Sequence, residues 1–182
     1  MTEIEKAAGI ISTGGVIAYP TEGVWGLGCD PRHEEAVQRI LSLKQRPVSK
    51  GLILVAANMA QVENLVVDLP AAYREILEKT WPGPNTWLLP DTYQFIPDWI
   101  KGEFATVAIR ISAHPLVKAL CETCGSMLVS TSANPADKPP ALTQAEVEQY
   151  FPEGLDFILP GELGGQDGPS TIRDLMSQDV IR

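Results

Sequence analysis

Two basic side chains, Lys44 and Arg46, end a helical pattern immediately before Pro47. Although the formal net charge of the chain is −9, five of its 14 basic residues fall in one short stretch: Arg32, Arg39, Lys44, Arg46 and Lys50. A local concentration of cations in an acidic chain predicts an anionic ligand. We predict a functional role for Lys44 and Arg46 because both lie at a helix end beside a loop.

The other cations of this stretch have a simpler interpretation. Glu34 and Glu35 precede Arg39 with helical spacing, so Arg32 and Arg39 are expected on a solvated helix face. These two arginines are therefore not counted among the candidate site residues.

Three more loops carry polar pairs where an apolar strand or helix ends: Thr21 with Glu22, Ser132 with Asn134, and Ser170 with Thr171. Loops at such ends commonly meet at a ligand. Taken singly, each pair has an alternative role, since Ser and Asn also form turns and cap helices.

A strand pattern from Thr106 to Ser112 supplies a further candidate. Val107, Ile109 and Ile111 alternate on one face, which leaves Arg110 on the other face and pointing to something polar.

The elements that must position these residues interleave irregularly along the chain. Helices are predicted to begin at Thr2, Asp30–Pro31, Asn58, Pro70, His114–Pro115 and Thr143; strands are predicted at residues 16–19, 52–56, 86–90, 106–112, 127–131 and 157–159; a loop is predicted at 91–103. With no repeat or linker visible, we predict one α/β domain, residues 1–182, around a twisted open mixed sheet with helices around it.

Composition describes an ordinary globular chain of 182 residues, 45% hydrophobic and 20% charged. Its apolar windows are too short to cross a bilayer, and its first residues lack the pattern of a signal peptide, so a cytoplasmic location without membrane contact is expected. The acidic balance argues against a surface that coats nucleic acid broadly.

Several familiar chemistries find no support. Cys121 and Cys124 form a C-x-x-C without a second ligand pair, so a zinc site is not favoured. The glycines at 23, 26 and 28 fit neither the dinucleotide nor the P-loop spacing. No G-x-S-x-G elbow is present, and we expect no covalent nucleophile.

Taken together, a series of segments resembles the TsaC/YrdC family of threonylcarbamoyl-AMP synthases, of the short stand-alone kind. The segments are YPTEGVWGLGCDP, LKQRP, SKGLILV, WPGP, AIRIS, HPLV and STSAN. The most specific part is K-x-R followed far downstream by S-x-N. The length leaves no room for the extra domain of the longer Sua-type relatives.

The resemblance implies a concave cavity with cationic lining and a specific reaction. L-threonine, bicarbonate or CO₂, and ATP would give L-threonylcarbamoyladenylate and pyrophosphate, for the threonylcarbamoyladenosine modification of tRNA. Mg²⁺ is expected with the ATP. The product would pass to tRNA-modification proteins of the TsaB, TsaD and TsaE kind, and direct tRNA binding is expected to be weak or absent.

The same resemblance implies roles for the candidate residues. Lys44, Arg46, Ser132 and Asn134 would be catalytic and bind ATP, with Ser170 and Thr171 near the nucleotide. Thr21 would border the threonine and carbamate site, and Arg110 would hold a carboxylate or phosphate.

The chain departs from the common family pattern at a few positions, including Gly23, Trp25, Asn85 and Pro135. Because of these departures, the resemblance does not define which residues line the threonine pocket.

An RNA-binding or ribosome-maturation module without catalysis remains the alternative. It would use the basic stretch with the tryptophans at 25, 81, 87 and 99, but these are scattered rather than interleaved with cations.

Overall fold

The framework of the computed structural model, which describes every residue from Met1 to Arg182, is a pair of mixed β-sheets. The four-stranded sheet has the order β7-β2-β1-β8, with β1 at Ile17–Pro20, β2 at Trp25–Gly28, β7 at Thr131–Ser132 and β8 at Phe157–Ile158. The five-stranded sheet has the order β6-β3-β5-β4-β9, with β3 at Ile53–Ala56, β4 at Asn85–Pro90, β5 at Thr106–Ile111, β6 at Leu128–Val129 and β9 at Thr171–Asp174. The α/β class and the mixed strand directions are confirmed, while the hydrogen bonding divides the strands into two sheets.

Seven α-helices connect the strands. They are α1 at Glu3–Ser12, α2 at Glu34–Lys44, α3 at Glu63–Val66, α4 at Ala71–Thr80, α5 at Asp98–Lys101, α6 at Pro115–Cys124 and α7 at Gln144–Tyr150, with 3₁₀ helices at Val48–Lys50 and Met59–Val62. None of the helices is long and apolar enough to span a membrane.

The buried apolar side chains form a large core cluster that draws on both sheets and a smaller one beneath α1 and α6. In α1, Ala7, Ala8 and Ile11 face the smaller cluster, because they recur at the spacing of one helical face. Burial on this pattern stabilises the helix far more than its intrinsic propensity does.

One predicted strand, residues 127–131, is corrected. The segment divides at Ser130: β6 pairs with β3 in the five-stranded sheet, and β7 pairs with β2 in the four-stranded sheet. The amide of Ser130 donates to the carbonyl of Ile53 at 2.9 Å, and the amide of Val129 donates to the carbonyl of Cys29 at 3.0 Å. A run of apolar letters cannot reveal that its backbone changes partner halfway, so the sequence pattern predicted one strand.

Two boundaries also differ from the sequence prediction. Helix α2 begins at Glu34, because the Asp30 carboxylate is engaged by the backbone and guanidinium of Arg32 instead of opening a helix. The predicted loop at 91–103 contains α5, and it is closed by a buried ion pair between Lys101 and Asp91 at 3.0 Å.

Candidate active site

A cavity of about 450 Å³ opens where several loops converge between the sheets. Its walls are formed by five parts of the chain: the β1–β2 turn, the segment after α2, strand β5, the β6–β7 crossing and the segment before β9. Its charged lining residues are five cations and one carboxylate: Arg46, Lys50, Lys101, Arg110, Arg182 and Glu22. In a chain of net charge −9, this lining is a local reversal of sign that favours an anionic ligand.

The structure divides the residues predicted for the site into two groups. Thr21, Arg46, Arg110, Ser132 and Ser170 line the cavity. The other three do not line it: Lys44, Asn134 and Thr171. Lys44 nevertheless contacts both Ser132 and Asn134, whereas the guanidinium of Arg46 bonds to the carbonyl of Gly51.

Arg46 reaches the cavity because α2 ends in a left-handed turn. Gln45 has φ 53°, and the amide of Arg46 donates back to the carbonyl of Leu41 at 2.9 Å, which completes the helix cap. The Arg46 guanidinium donates through Nε and Nη2 to the carbonyl of Gly51, at 3.2 and 3.0 Å. Partial burial lowers the pKa of Arg46, but an arginine stays charged at any ordinary pH.

Lys44 does not reach the cavity and is buried, with only 5% of its surface exposed. Its ammonium donates to the carbonyl oxygens of Ser132 and Asn134 and to Oδ1 of Asn134, at 2.5, 3.0 and 3.3 Å. Burial, with a smaller contribution from the charge of Arg46, lowers the pKa of Lys44 to about 8. The amine therefore titrates close to physiological pH.

Arg110 lies on the polar face of β5, as predicted, but inside the protein rather than at its surface. Its Nη1 donates to Oε2 of Glu22 at 2.6 Å, and both residues are less than one-tenth exposed. The other carboxylate oxygen of Glu22 accepts from the Ser112 hydroxyl at 2.8 Å. Nε of Arg110 is buried without a hydrogen-bond partner, which leaves one donor free for a ligand.

The remaining predicted residues are held by short polar contacts. The Thr21 hydroxyl donates to the carbonyl of Val24 at 2.6 Å and fixes the β1–β2 turn. The hydroxyls of Ser170 and Thr86 are 2.7 Å apart, next to the start of β9. Arg32 and Arg39 are solvated, as expected, and pair with Asp30 and Asp156, although Asp30 is buried and Arg32 lies just before α2 rather than on its face.

Sequence reasoning missed Arg182. Its guanidinium donates to the carbonyl of Ser170 through Nε and Nη2, at 3.3 and 2.9 Å. Burial and the nearby charges of Arg46 and Arg110 lower its pKa. Backbone bonds between Ile172 and residues 181–182 bring it there. No local pattern announces such a return of the chain to β9, so no signal in the sequence could have identified Arg182.

Gly23 allows a glycine-rich segment to lie directly on the β1–β2 turn. The amides of Gly164 and Gln166 donate to the carbonyls of Thr21 and Glu22, both at 3.0 Å. A Cβ added at Gly23 would stand 1.8 Å from the carbonyl oxygen of Gly168. Only a residue without a side chain permits this wall of the cavity.

Replacing Gly23 by Ala should therefore displace the 164–168 segment, at a cost of about 1–3 kcal/mol in the free energy of unfolding. Chemical denaturation measures this cost, and limited proteolysis tests whether the segment has been released. Gly9→Ala in α1 is the matched control, because the added Cβ meets nothing within 4 Å beyond its chain neighbours and the nearby backbone of its own helix. Equal stability and equal protease resistance of the two variants would contradict this account of the wall.

The arrangement is suited to stabilising negative charge without covalent catalysis. Cations share the lining of the cavity with apolar side chains such as Ile53, Leu88, Phe104 and Val107. A ligand that combines anionic and apolar groups fits such a lining. Fixed cations of this kind lower barriers by stabilising charge that develops in the transition state.

Comparison with known proteins adds an independent finding. The sequence profile of the Sua5/YciO/YrdC family, described as "telomere recombination", matches residues 9–182. The threonylcarbamoyl-AMP synthase of Pseudomonas aeruginosa is 56% identical over 176 residues, covering 97% of this chain and 94% of its own. The threonylcarbamoyl-AMP synthase of Stutzerimonas stutzeri is 54% identical over 179 residues, covering 98% and 96%.

Solved structures agree with the fold. Sua5 of P. abyssi, crystallised with L-threonine, superposes with a TM-score of 0.91 at 33% identity; all of this chain is covered, but only 54% of the longer Sua5 chain. YciO of E. coli superposes with a TM-score of 0.82 at 27% identity, covering 98% of this chain and 87% of its own.

Proposed function

The chain belongs to the Sua5/YciO/YrdC family, and from this premise we infer that it is an enzyme that makes L-threonylcarbamoyladenylate. Its substrates are L-threonine, bicarbonate or CO₂, and ATP, and its second product is pyrophosphate. The product serves the threonylcarbamoyladenosine modification of tRNA. The observation that carries this inference is the cation-lined cavity of an acidic chain whose relatives are named threonylcarbamoyl-AMP synthases.

The reaction class we propose is nucleotidyl transfer. An oxygen of threonine carbamate attacks the α-phosphorus of ATP, a new P–O bond forms, and the bond to the bridging oxygen of pyrophosphate breaks. Such transfers depend on positioning and on charge stabilisation. Arg46, Lys50 and Arg182 supply mobile or forked cations around one region of the cavity, and we assign them to the phosphates.

We assign the amino acid to the part of the cavity beside Thr21 and Arg110. The unpartnered Nε of Arg110 suits a carboxylate oxygen, and the Arg110 side chain is already oriented by Glu22. The P. abyssi Sua5 structure contains L-threonine, which supports a threonine site in this fold. Ser170 and Thr171 are proposed to lie near the nucleotide, with Ser170 facing the cavity and Thr171 fixing the strand behind it.

We propose that Mg²⁺ enters as its ATP complex. Glu22, the one carboxylate that lines the cavity, is already engaged by Arg110, Ser112 and the amide of Ala113. The residues present therefore do not fit a metal held by the protein. Downstream proteins that act on tRNA are proposed as the receivers of the product.

Pyrophosphate release is expected only when threonine, bicarbonate and ATP are present together, and in buffer that contains no RNA. A coupled pyrophosphate assay with each substrate omitted in turn measures this requirement. Binding of tRNA, measured in parallel at low and at physiological salt, should be weak and should fall steeply as salt rises, because only the cationic lining attracts phosphates.

The opposite pattern would favour the alternative of an RNA-binding module. Tight binding of tRNA that resists salt, together with no synthesis in RNA-free buffer, would contradict the proposed function.

A further inference from the structure

We propose that Lys44 and Asn134 are positioning residues that hold the Ser132 hydroxyl as a hydrogen-bond acceptor toward the cavity. This deepens the proposed function and rests on it. The resemblance to the family implied that all three side chains bind ATP, whereas the geometry points to a division of labour in which only Ser132 meets a ligand.

Lys44 has no proton left for a phosphate. An ammonium carries three protons, and three oxygens of Ser132 and Asn134 lie within 3.3 Å of Nζ, with the Ser132 Oγ as a fourth, longer contact at 3.5 Å. Two of these acceptors are backbone carbonyls, which hold their places whatever the ligand. No carboxylate forms an ion pair with Lys44, so its positive charge interacts only with the polar oxygens of the turn at residues 132–134.

The amide of Asn134 has one orientation that fits its neighbours. Nδ2 donates to the carbonyl of Lys138 at 2.8 Å, with a longer contact to the carbonyl of Pro135 at 3.3 Å. Because carbonyl oxygens only accept, the nitrogen must be on this side. Oδ1 is then on the other side, facing the Lys44 ammonium, which only donates.

The orientation of Asn134 determines that of Ser132. The Ser132 Oγ lies 2.6 Å from Oδ1 of Asn134, an acceptor, so the single hydroxyl proton is directed there. One lone pair of Oγ faces the Lys44 ammonium at 3.5 Å, and the other remains for a ligand in the cavity. Its ligand must be a donor and not a phosphate oxygen, and we assign it to a hydroxyl, either of the nucleotide sugar or of the threonine side chain.

The backbone reinforces this arrangement. The amide of Ala136 donates to the carbonyl of Lys44 at 2.8 Å, and the amide of Ala133 donates to the carbonyl of Trp25 at 2.8 Å. The turn that carries Ser132 is thus tied both to the end of α2 and to β2. Removing the Lys44 ammonium would abolish its hydrogen bonds to this turn, while the backbone hydrogen bonds of Ala133 and Ala136 would stay in place.

A double-mutant cycle tests whether Lys44 acts through its partner. Lys44→Met keeps most of the length of the side chain but removes its ammonium group, and Asn134→Ala removes the acceptor. Each change should lower kcat/KM about tenfold or more, because each removes hydrogen bonds that involve a charged group. The kcat/KM of the double variant should be only slightly below that of the less active single variant, because both changes disrupt the same arrangement. Lys79→Met, at an exposed helix lysine, is the matched control and should retain wild-type activity.

Two further readouts separate positioning from simple structural support. Ser132→Ala should slow turnover of the natural substrates. This loss should disappear with the one analogue that lacks the hydroxyl bound by Ser132. The analogues are 2′-deoxy-ATP, 3′-deoxy-ATP and, in place of threonine, 2-aminobutyrate.

The activity of the wild-type protein should also fall as pH rises through about 8, where the Lys44 ammonium loses one of its three protons. This alkaline decline should be absent in Lys44→Met. Arg46 is the charged group that faces Lys44, and its own charge does not change in this range.

Additive losses in the double variant, or a Ser132→Ala effect that is undiminished with all three analogues, would overturn the proposal. Failure of the proposed function is distinguishable, because the wild-type protein would then release no pyrophosphate from its three substrates. In an active wild-type protein, the cycle concerns the positioning alone.

Discussion

Replacing Arg46 by alanine is expected to lower threonine-dependent pyrophosphate release by about 10²–10³-fold while the protein stays folded. Arg46 lines the cavity with a guanidinium that is held by the carbonyl of Gly51 and still faces the ligand space. A preoriented cation of this kind stabilises the charge that passes to the leaving pyrophosphate. Because the side chain is only partly buried, its loss removes little of the core.

The assay is the coupled release of pyrophosphate at saturating ATP and threonine, with circular dichroism as the check on folding. Arg32→Ala is the matched control, since that arginine is an exposed neighbour of the same helix and its side chain is 71% accessible. A folded Arg46→Ala protein with turnover close to that of Arg32→Ala would remove Arg46 from the catalytic assignment.

Replacing Glu22 by alanine is expected to cost about 3–5 kcal/mol in the free energy of unfolding. The change leaves the Arg110 guanidinium buried without its counter-charge and removes the acceptor of the Ser112 hydroxyl and the Ala113 amide. Glu22→Gln is the informative comparison, because it keeps the shape and an acceptor oxygen but not the charge. Urea denaturation at neutral pH measures both variants, and a loss below about 1 kcal/mol for Glu22→Ala would contradict the role of the pair.

The same pair makes stability depend on pH in a defined direction. Burial alone would raise the pKa of Glu22, but the charge of Arg110 and hydrogen bonds from Arg110, Ser112 and Ala113 outweigh it, so the folded pKa lies below the ordinary value. The stabilisation is therefore present above the unfolded pKa and is lost as pH falls through the folded value. Between about pH 5 and pH 3, the wild-type protein should lose more stability than Glu22→Gln.

The sequence predicted the secondary structure around the candidate residues better than the directions of their side chains. Helical and strand periodicity placed Lys44 at a helix end and Arg110 on the polar face of a strand, and both positions are correct. Periodicity does not say which side of a helix end a side chain leaves from. Lys44 turns into the protein and Arg46, two residues later, reaches the cavity, because a left-handed residue intervenes.

Long-range backbone pairing accounts for the rest of the difference. Arg182 reaches the cavity only because residues 181–182 pair with Ile172, and the apparent strand at 127–131 serves two sheets because its partners are far away in sequence. Such contacts depend on which distant segments meet, and a local pattern of apolar and polar letters carries no record of that.

The crossing of the chain at Ser130 also limits how the molecule can deform. Strands β6 and β7 are consecutive, and each is hydrogen-bonded into a different sheet. Ser130, the one residue between them, therefore links the two sheets directly through the backbone. The sheets cannot rotate apart without breaking hydrogen bonds on one side of it. The crossing therefore helps to set the distance between the cavity walls that the two sheets supply.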